Sequence, residues 1–349
     1  MTVDEQYMSR CLQLAACGRE GAAPNPMVGA VIVHNGSIIG EGYHRQCGGP
    51  HAEVNAIAAV KDEQLLREST MYVSLEPCAH YGKTPPCADL IISKGIPRVV
   101  VGCRDSYTEV DGKGIQKLKA AGVDVTVGVL EKECRELNHA FFTFHTQMRP
   151  YIILKWAQSV DGYIDGLREE GEECAPVKFS TAETALRVHR LRALSDAILV
   201  GRRTAVLDNP SLTTRFWPGK NPIRLVIDRN GVLDKQLQLF DNRVKTVVFT
   251  EVFRDFQQMD GVEQVKVDFA GDILRQITNY LYEHKIQRLL VEGGAKTLQA
   301  FIDAGLWDEA YVELAPLQLE HGVKAPLMKN ARKIETRESF GHQITHFLA

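Results

Sequence analysis

Three potential metal ligands and one carboxylate are the residues whose types and spacing most clearly predict chemistry. His51 stands two residues before Glu53, and cysteines follow prolines at Cys78 and Cys87. Zinc prefers histidine nitrogen and cysteine sulfur as ligands, and three protein ligands leave a fourth position open to water. Zinc held in this way lowers the pKa of the water, and a neighbouring carboxylate can take the proton. The pattern therefore predicts a hydrolytic zinc site with Glu53 as general acid and base.

The order of these residues, a His-x-Glu element followed by a Pro-Cys pair and a second cysteine, is typical of zinc-dependent nucleobase deaminases. Eight residues rather than two separate Cys78 from Cys87. A structural zinc site is one alternative, with His80 or Cys103 as fourth ligand, but it leaves Glu53 unexplained. A disulfide between Cys78 and Cys87 is disfavoured because nothing in the sequence indicates an oxidising compartment.

Helices are expected to begin at two of the ligands. Pro50 suits a helix start at His51, and the run 52–60 then reads as a helix. Residues at i and i+2 of a helix do not share a face, so His51 must lie at the helix end for Glu53 to flank the same metal. A second short helix is expected from Cys87, where the helix dipole would lower the pKa of the thiol.

Alternating helices and strands predict an α/β fold for both halves of the chain. In the first half, Asn35-Gly36 is a strong hairpin signal between two strands, and one terminal helix is expected over 131–145. The predicted first half is a mixed sheet covered by helices in three layers. A boundary near 147–150 divides the chain into predicted domains 1–147 and 148–349.

Two further signals mark helix starts. Thr2 and Glu5 have the spacing of a capping box, and so do Ser180 and Glu183 at the start of a helix in the second half. These spacings predict helices that begin near residues 3 and 181.

Composition and charge exclude several classes of protein. The chain has 349 residues and a net charge of −3, with 15 basic against 17 acidic residues in 1–149 and 26 against 27 in 150–349. Neither half has the basic excess of a nucleic-acid binder, so a small-molecule substrate is favoured. No apolar run is long enough to span a membrane. The acidic N-terminus and scattered cysteines predict a reduced, cytoplasmic protein.

The second half contains two weaker signals for phosphate binding. Gly293 and Gly294 lie between a predicted strand and helix, where glycines and free amides can approach an anion. Arg202, Arg203 and Thr204 follow another strand and are a second candidate. Taken alone, each signal is more often a plain turn than a ligand site, and the absence of a G-x-G-x-x-G pattern disfavours a standard Rossmann domain.

Taken together, longer motifs resemble the bifunctional deaminase–reductase family of riboflavin biosynthesis. In the first half the matching motifs are Asn25-Pro26-Met27-Val28-Gly29, Gly42-Tyr43-His44, His51-Ala52-Glu53 and the run from Glu76 to Cys87. In the second half they are Leu154-Lys155, Ser159-Val160-Asp161-Gly162, Leu191-Arg192-Ala193, the run from Asp208 to Arg215 and Val291-Glu292-Gly293-Gly294. The resemblance covers nearly the whole chain.

The resemblance implies two consecutive reactions on one phosphorylated pyrimidine. A cytidine-deaminase-like first domain would use zinc-bound hydroxide to remove the 2-amino group of diaminohydroxyphosphoribosylaminopyrimidine. A second domain, with a fold similar to dihydrofolate reductase, would use NADPH to reduce the ribosyl group to ribityl. The resemblance also implies a homo-oligomer that acts on this small molecule, without a nucleic-acid or membrane partner.

The resemblance also assigns binding residues. The deaminase substrate would be held by Asn25, His44 and Lys83. NADPH would be held by Gln158, Thr204, Asp208, Gly293 and Gly294. The substrate of the reductase would be held by Arg192, Leu212, Arg215 and Glu292, with the two arginines suited to its phosphate.

The sequence departs from the family pattern at two places. The family usually has Asp-Pro-Asn-Pro where this chain has Asp105-Ser106-Tyr107-Thr108, so an asparagine contact to substrate is missing. The family also tends to have Trp-Ile-Ser/Thr where this chain has Lys178-Phe179-Ser180. Phe179 is expected to replace the tryptophan against the cofactor.

Three competing functions follow from the same residues. A nucleic-acid-editing deaminase with an accessory domain is disfavoured by the charge balance. A non-enzymatic protein with a structural zinc would require a fourth protein ligand. A chain with only one active half is the third alternative, which separate assays of the two halves would distinguish.

Overall fold

The chain folds into two compact units, Met1–Met148 and Arg149–Ala349. This is a computed structural model, and it describes residues 1–79, 85–105, 112–168, 175–256 and 259–349. Each unit has its own sheet and its own hydrophobic core. In these residues, no helix combines the length and the apolar character needed to cross a membrane.

The first unit is a five-stranded mixed sheet between two layers of helices. Its strands are β1 (Gly29–His34), β2 (Ser37–Tyr43), β3 (Thr70–Leu75), β4 (Arg98–Cys103) and β5 (Asp124–Val127), in the order β2-β1-β3-β4-β5. Its helices are α1 (Val3–Ala16), α2 (Ala52–Ala58), α3 (Cys87–Ser93), α4 (Lys113–Ala120), α5 (Glu131–Leu137) and α6 (His139–Gln147). A short 3₁₀ helix covers Glu63–Glu68. β1 runs antiparallel to both neighbours, while β3, β4 and β5 are parallel.

Two apolar clusters fix the helices on opposite faces of this sheet. On one face, Ala56 of α2, Ile91 of α3 and Leu118 of α4 pack with strand residues and are almost completely buried. On the other face, Met8 of α1 and Cys134 of α5 pack in the same way. The three-layer arrangement predicted from the sequence is therefore confirmed.

The predicted terminal helix over 131–145 is wrong in one respect, because the chain forms two helices that meet at Asn138. The backbone of Asn138 leaves the helical region, with φ −109° and ψ 23°. Its side chain bonds both backbone groups of Met27, accepting from the N–H and donating to the C=O at 2.8 Å each. Asparagine often bonds backbone outside its own helix, and here that contact ends α5.

The second unit is a nine-stranded sheet with an additional two-stranded ribbon. Its strands are β6 (Tyr151–Ser159), β7 (Tyr163–Asp165), β8 (Ala197–Gly201), β9 (Ile223–Ile227), β10 (Thr246–Thr250), β11 (Val262–Lys266), β12 (Arg288–Val291), β13 (Glu309–Ala315), β14 (Val323–Lys324), β15 (Arg332–Ser339) and β16 (His342–Leu348). The main order is β11-β10-β9-β8-β12-β6-β13-β16-β15, and β14 pairs with β7. Its helices are α7 (Ala182–Ala193), α8 (Arg202–Asp208), α9 (Ile273–Glu283) and α10 (Ala295–Asp303). A 3₁₀ turn covers Gln238–Phe240.

Seven strands, from β11 to β13, are parallel, so their carboxyl ends share one edge of the sheet. Leu281 of α9 and Phe301 of α10 pack with buried strand residues such as Leu154 and Phe249. Ligands of parallel α/β sheets bind beyond the carboxyl ends of the strands. The predicted α/β fold is confirmed for this half too.

The capping box of α7 lies one residue later than predicted. The hydroxyl of Thr181, not that of Ser180, accepts the backbone N–H of Thr184, and the backbone N–H of Thr181 donates to the hydroxyl of Thr184. Ser180 instead donates to the buried Glu313 at 2.7 Å. At the N-terminus, the predicted box of Thr2 and Glu5 is present.

Candidate active sites

In the first unit, one strand end and two helix starts bring the predicted metal ligands together. Cys78 follows the carboxyl end of β3, His51 is the N-cap of α2, and Cys87 is the first residue of α3. The extended backbone of His51, with φ −72° and ψ 168°, places it outside the helix. The helix starts expected at His51 and Cys87 are therefore those of the structure.

The three ligand atoms have the spacing of a tetrahedral metal site. Nδ1 of His51 lies 3.6 Å from Sγ of Cys78 and 3.3 Å from Sγ of Cys87. All three atoms lie within 4.8 Å of one another. With zinc–ligand bonds of about 2.0–2.3 Å, neighbouring ligand atoms of a tetrahedron are separated by roughly 3.5–3.8 Å. The donor types and their spacing therefore fit zinc.

The two cysteine thiols shift each other's pKa in opposite directions. The hydrogen bond from the Cys87 thiol lowers the pKa of Cys78 to about 4, although burial opposes this shift. The same contact raises the pKa of Cys87. The backbone N–H of Cys87 also donates to Sγ of Cys78 at 3.3 Å. These contacts favour the thiolate form of Cys78, and metal coordination would deprotonate Cys87 as well.

Glu53 is buried beside these ligands, with only 3% of its surface exposed. Burial raises the pKa of its carboxyl to about 7, and the nearby His51 partly opposes this effect. A carboxyl with a pKa near neutrality can both accept and release a proton at physiological pH. Glu53 therefore has the location and the chemistry expected of a proton shuttle.

Asn25 and His44 form a fixed pair near the ligands. The ring of His44 lies edge-on to that of His51, with 5.4 Å between the ring centres. Nδ1 of His44 lies 3.0 Å from the carbonyl oxygen of Pro50, and Nε2 lies 3.1 Å from Nδ2 of Asn25. Burial lowers the pKa of His44, so a neutral ring donates to Pro50 and accepts from Asn25. This contact uses the side-chain nitrogen of Asn25, so its Oδ1 is the atom with which the side chain can accept a further hydrogen bond.

Three further residues and one departure from the family pattern were predicted to affect this site. Lys83 and His80 lie outside the described residues, as do positions 106–108 of the Asp105-Ser106-Tyr107-Thr108 departure. Cys103, the other candidate for a fourth ligand, is buried, and its thiol contacts the carbonyl of Ser74 at 3.5 Å. Among the described residues, the metal-ligand cluster contains His51, Cys78 and Cys87 and does not include Cys103.

In the second unit, a cavity of about 1000 Å³ opens beside the carboxyl ends of β6, β8 and β12. Four residues predicted to bind NADPH or substrate line it, namely Thr204, Asp208, Glu292 and Gly294. Phe179, predicted to replace the family's tryptophan, also lines it. Arg202, Arg203 and Thr204 belong to the first turn of α8 and not to a loop.

Two of the predicted NADPH-binding residues are not part of the cavity lining. The indole N–H of Trp156 donates to the side-chain oxygen of Gln158 at 2.7 Å. Gly293 packs against β8, where an added Cβ would lie 2.7 Å from Val200. The next residue, Gly294, has φ +68°, a conformation that favours glycine, and precedes α10. Gly293 thus provides close packing, while Gly294 turns the backbone into the cavity.

The charges around the cavity fit an anionic dinucleotide. Six basic side chains belong to its lining, namely Lys155, Arg168, Lys178, Arg202, Arg203 and Lys296. Three acidic side chains belong to it, namely Asp165, Asp208 and Glu292. Asp208 is bound by the guanidinium of Arg168 at 2.5 Å. The excess of positive charge suits the phosphates of NADPH.

Arg192 and Glu292, both predicted to bind substrate, form a buried ion pair. Two parallel hydrogen bonds of 2.8 and 2.6 Å join them, and Arg192 also donates to the carbonyl of Thr213 at 3.1 Å. Burial alone would raise the pKa of Glu292, but the attraction of Arg192 lowers it. Arg192 therefore directs three of its five N–H groups at protein partners, and its role in phosphate binding stays a prediction.

His189 of α7 supports the segment that carries Leu212 and Arg215. Its Nδ1 accepts the backbone N–H of Arg215 at 3.0 Å, and its ring is 4% exposed. Leu212 is buried and has φ +49°, so the segment needs such support. Burial, together with the positive charges of Arg192 and Arg215, lowers the pKa of His189 to about 4, while Glu292 opposes the shift.

The low pKa of His189 predicts a pH-dependent stability of the second unit. Unfolded His189 takes up a proton near pH 6.5, whereas the folded residue does so only near pH 4. Between these values the unfolded state binds more protons, so stability falls as pH falls. The stability advantage of the wild type over His189→Asn should therefore be smaller at pH 4.5 than at pH 7.

Tryptophan fluorescence during urea unfolding measures this advantage in the intact chain. All three tryptophans, Trp156, Trp217 and Trp307, belong to the second unit, so the signal reports that unit. His284→Asn is a matched control, because His284 is an exposed residue at the end of α9. An advantage over His189→Asn that is equal at both pH values would contradict the prediction.

Three supporting residues were not anticipated from the sequence. Asn138 holds the backbone of Met27, two residues after Asn25, and had no local signal. Nothing in the local sequence distinguished His189 from other polar residues of a helix. Glu76 belonged to a quoted motif, but its role depends on contacts with residues that the motif does not contain, namely Asp105, Gly112, Gly114 and Ile115.

Comparison with known proteins agrees with this geometry. The family model for the cytidine and deoxycytidylate deaminase zinc-binding region matches residues 1–103, and the model for the RibD C-terminal domain matches residues 150–327. The riboflavin biosynthesis protein RibD of Aquifex aeolicus is 40% identical over 92% of this chain and 89% of its own length. The chain belongs to the RibD family. It is therefore a bifunctional enzyme of riboflavin biosynthesis, a zinc-dependent deaminase and an NADPH-dependent reductase.

Other relatives have similar coverage. The RibD protein of Escherichia coli K12 is 36% identical over 90% of this chain and 88% of its own length. A solved structure from Thermotoga maritima is named a diaminohydroxyphosphoribosylaminopyrimidine deaminase/5-amino-6-(5-phosphoribosylamino)uracil reductase. It has 35% identity and a TM-score of 0.87, with 99% of this chain and 98% of that chain covered. The predicted resemblance, fold class and pair of activities are thus confirmed.

Proposed function

We propose that this chain deaminates 2,5-diamino-6-ribosylamino-4(3H)-pyrimidinone 5′-phosphate and then reduces the ribosyl side chain, which yields 5-amino-6-(5-phosphoribitylamino)uracil. The observation that carries this proposal is the convergence of His51, Cys78 and Cys87 beside the buried Glu53. The activity named for the Thermotoga maritima relative supports the choice of substrate.

In the first step, His51, Cys78 and Cys87 hold the zinc, and Glu53 moves protons. Bound zinc supplies a Lewis acid that makes water a nucleophile at neutral pH. Glu53 would take a proton from the attacking water and deliver protons to the ring nitrogen and to the leaving amine, so that ammonia departs. A bound dication would favour the ionised form of Glu53 and so prepare it to accept the first proton.

The substrate base is oriented by Asn25, which His44 holds in place. Because Nδ2 of Asn25 donates to His44, its Oδ1 can accept a hydrogen bond from an amino or ring N–H group of the pyrimidine. The contact of His44 with Pro50, which precedes the ligand His51, ties this orientation to the metal site. Lys83 completes the set as the proposed phosphate contact.

In the second step, the cavity beside β6, β8 and β12 holds NADPH. Thr204, Asp208 and Gly294 contact the dinucleotide. Gln158 and Gly293 lie outside the cavity lining and pack against the elements that form it. Glu292 lies in the cavity lining and also pairs with Arg192, so it can connect the cofactor to the substrate. Arg192, Leu212 and Arg215 complete the substrate site, and the two arginines are the proposed phosphate contacts. The protein holds the hydride donor against the sugar carbon, and the redox chemistry belongs to the cofactor.

The division of labour follows the two units. Residues 1–147 would carry the deaminase and residues 148–349 the reductase, and both would act on the small phosphorylated pyrimidine. From the charge balance, the scattered cysteines and the resemblance, we place the protein in the cytoplasm as a homo-oligomer without nucleic-acid or membrane partners.

Replacing Cys87 by serine is expected to remove the zinc. A hydroxyl is a far poorer zinc ligand than a thiolate, so zinc affinity should fall by at least about 100-fold and deamination should fall with the zinc. Metal content of the purified protein and zinc titration against a chelator measure the effect. Cys47→Ser is the control, because Cys47 is exposed and outside the ligand cluster. A Cys87→Ser protein with wild-type zinc affinity would exclude this ligand set.

The proposed reactions are tested by incubating the pure protein with the diaminopyrimidine ribotide, with and without NADPH. Without NADPH we expect release of ammonia and a deaminated product. With NADPH we expect a further mass gain of two hydrogens. Deamination of oligonucleotides, but not of the ribotide, would favour the nucleic-acid-editing alternative instead.

A further inference from the structure

Glu76 is a buried carboxylate that no proposed reaction step uses. It is 4% exposed and lies between β3 and the ligand Cys78. Oε2 accepts the backbone N–H groups of Asp105 at 3.3 Å and Gly112 at 3.0 Å. Oε1 accepts those of Gly114 at 3.0 Å and Ile115 at 3.1 Å. A buried carboxylate is costly unless its oxygens are hydrogen-bonded, and here four backbone donors satisfy it.

Three of these bonds join the segment before Cys78 to the start of α4, and the fourth, from Asp105, joins it to the segment that follows β4. The backbone N–H of Glu76 also donates to the carbonyl of Cys103 at 3.0 Å, which continues the pairing of β3 with β4. Gly114 approaches the carbonyl oxygen of Pro77 so closely that an added Cβ would lie only 1.9 Å from it. The backbone from Glu76 to Pro77 is therefore held from two sides immediately before the ligand.

Cys78 itself is held from its other side by α3. Its carbonyl accepts the N–H of Ala88 at 3.1 Å, and its Sγ accepts the N–H of Cys87 at 3.3 Å. Its position relative to His51 and Cys87 thus depends on two supports, α3 and the Glu76 contacts. Removing the second support would let the Cys78 thiolate move while α3 still holds Cys87.

We propose that Glu76 is a positioning residue that sets the place of Cys78 and thereby the zinc affinity of the deaminase unit. This inference rests on the proposed ligand set of His51, Cys78 and Cys87. Glu76 is not a member of the ligand cluster among the described residues, and it acts through the backbone of Pro77 and Cys78. Groups that orient metal ligands from outside typically change metal affinity by about 10- to 100-fold when they are replaced.

Glu76→Gln is the main test, because the amide presents an N–H₂ group where a carboxylate oxygen accepts two N–H bonds. Its zinc dissociation constant, measured in the full chain by competition with a chelator, should be about 10- to 100-fold larger than that of the wild type. Glu76→Asp keeps the negative charge on a shorter side chain. Its zinc affinity should therefore lie between those of the wild type and Glu76→Gln. If Glu76→Gln fails to fold, Glu76→Asp alone must show weaker zinc binding.

Asp4→Asn controls for a general loss of stability in the same unit. The carboxylate of Asp4 accepts hydrogen bonds from the side chains of Arg98 and Tyr72, away from the ligands. The zinc-free variant should therefore have a lower melting temperature than the zinc-free wild type, but the variant should keep wild-type zinc affinity. Calorimetry of the zinc-free proteins gives the stability of each variant. The visible spectrum of cobalt(II)-loaded protein, which reports thiolate coordination, should change in Glu76→Gln and not in Asp4→Asn.

Wild-type zinc affinity and an unchanged cobalt spectrum in a folded Glu76→Gln protein would overturn the inference. Failure of the ligand set itself would appear differently, because the wild type and the Cys87→Ser variant would then bind zinc equally well.

Discussion

Glu53→Gln is expected to retain zinc and to slow deamination by about 10²–10⁴-fold, the usual range for loss of a general acid–base group. Glutamine has nearly the same shape but cannot take a proton from water or deliver one to the leaving group. Glu53 lies beside the ligands without being one of the three in the cluster, so the metal should stay bound. The loss should appear mainly in kcat.

Ammonia release and zinc content, measured on the same preparation, test this prediction. Reduction of the independently prepared deaminated substrate is the internal check, and it should proceed at the wild-type rate. Glu41→Gln is the matched control, because Glu41 pairs with Arg10 and is outside the ligand cluster. Deamination at the wild-type rate by Glu53→Gln would exclude the proposed proton shuttle.

Glu292→Gln is expected to lower the free energy of unfolding of the second unit by about 3–5 kcal/mol, because it leaves a buried guanidinium without its counter-charge. The side chains of Arg192 and Glu292 are 12% and 11% exposed. The variant should also lose reductase activity, since Glu292 lines the proposed cofactor cavity. Deamination in the first unit should remain.

Urea unfolding followed by tryptophan fluorescence measures the effect in the whole chain, since every tryptophan belongs to the second unit. Glu251→Gln is the control: its partner Arg229 is 59% exposed and Glu251 is 31% exposed. An exposed ion pair contributes at most about 1 kcal/mol, so this variant should change little. Equal losses in the two variants would contradict a special role for the buried pair.

Local spacing was enough to predict the metal site. The His-x-Glu element and the Pro86-Cys87 pair mark two helix starts, with His51 as the N-cap of α2 and Cys87 as the first residue of α3, whereas Cys78 follows the strand β3. Residues within a few positions of one another are constrained by short-range sterics and hydrogen bonding. The positions of His51 and Cys87 were therefore predictable before any tertiary structure was known.

Contacts between distant segments were not predictable in the same way. Arg192 and Glu292 are 100 positions apart, and Asn138 is 111 positions from Met27. No periodicity or cap links such pairs, so the resemblance named Arg192 and Glu292 as two substrate contacts without indicating their pairing. The four hydrogen bonds of Glu76 span 29 to 39 positions and were unpredictable for the same reason. Sheet topology, which single-sequence patterns do not specify, brings all these residues together.

The number of protein ligands on the zinc tests the central claim most directly. X-ray absorption at the zinc edge of the loaded wild-type protein should show two sulfur ligands at about 2.3 Å and nitrogen or oxygen ligands at about 2.0–2.1 Å. One of the light ligands should be exchangeable with solvent or displaced by a substrate analogue. A third sulfur, or four ligands that no small molecule displaces, would identify a closed structural site and contradict the account.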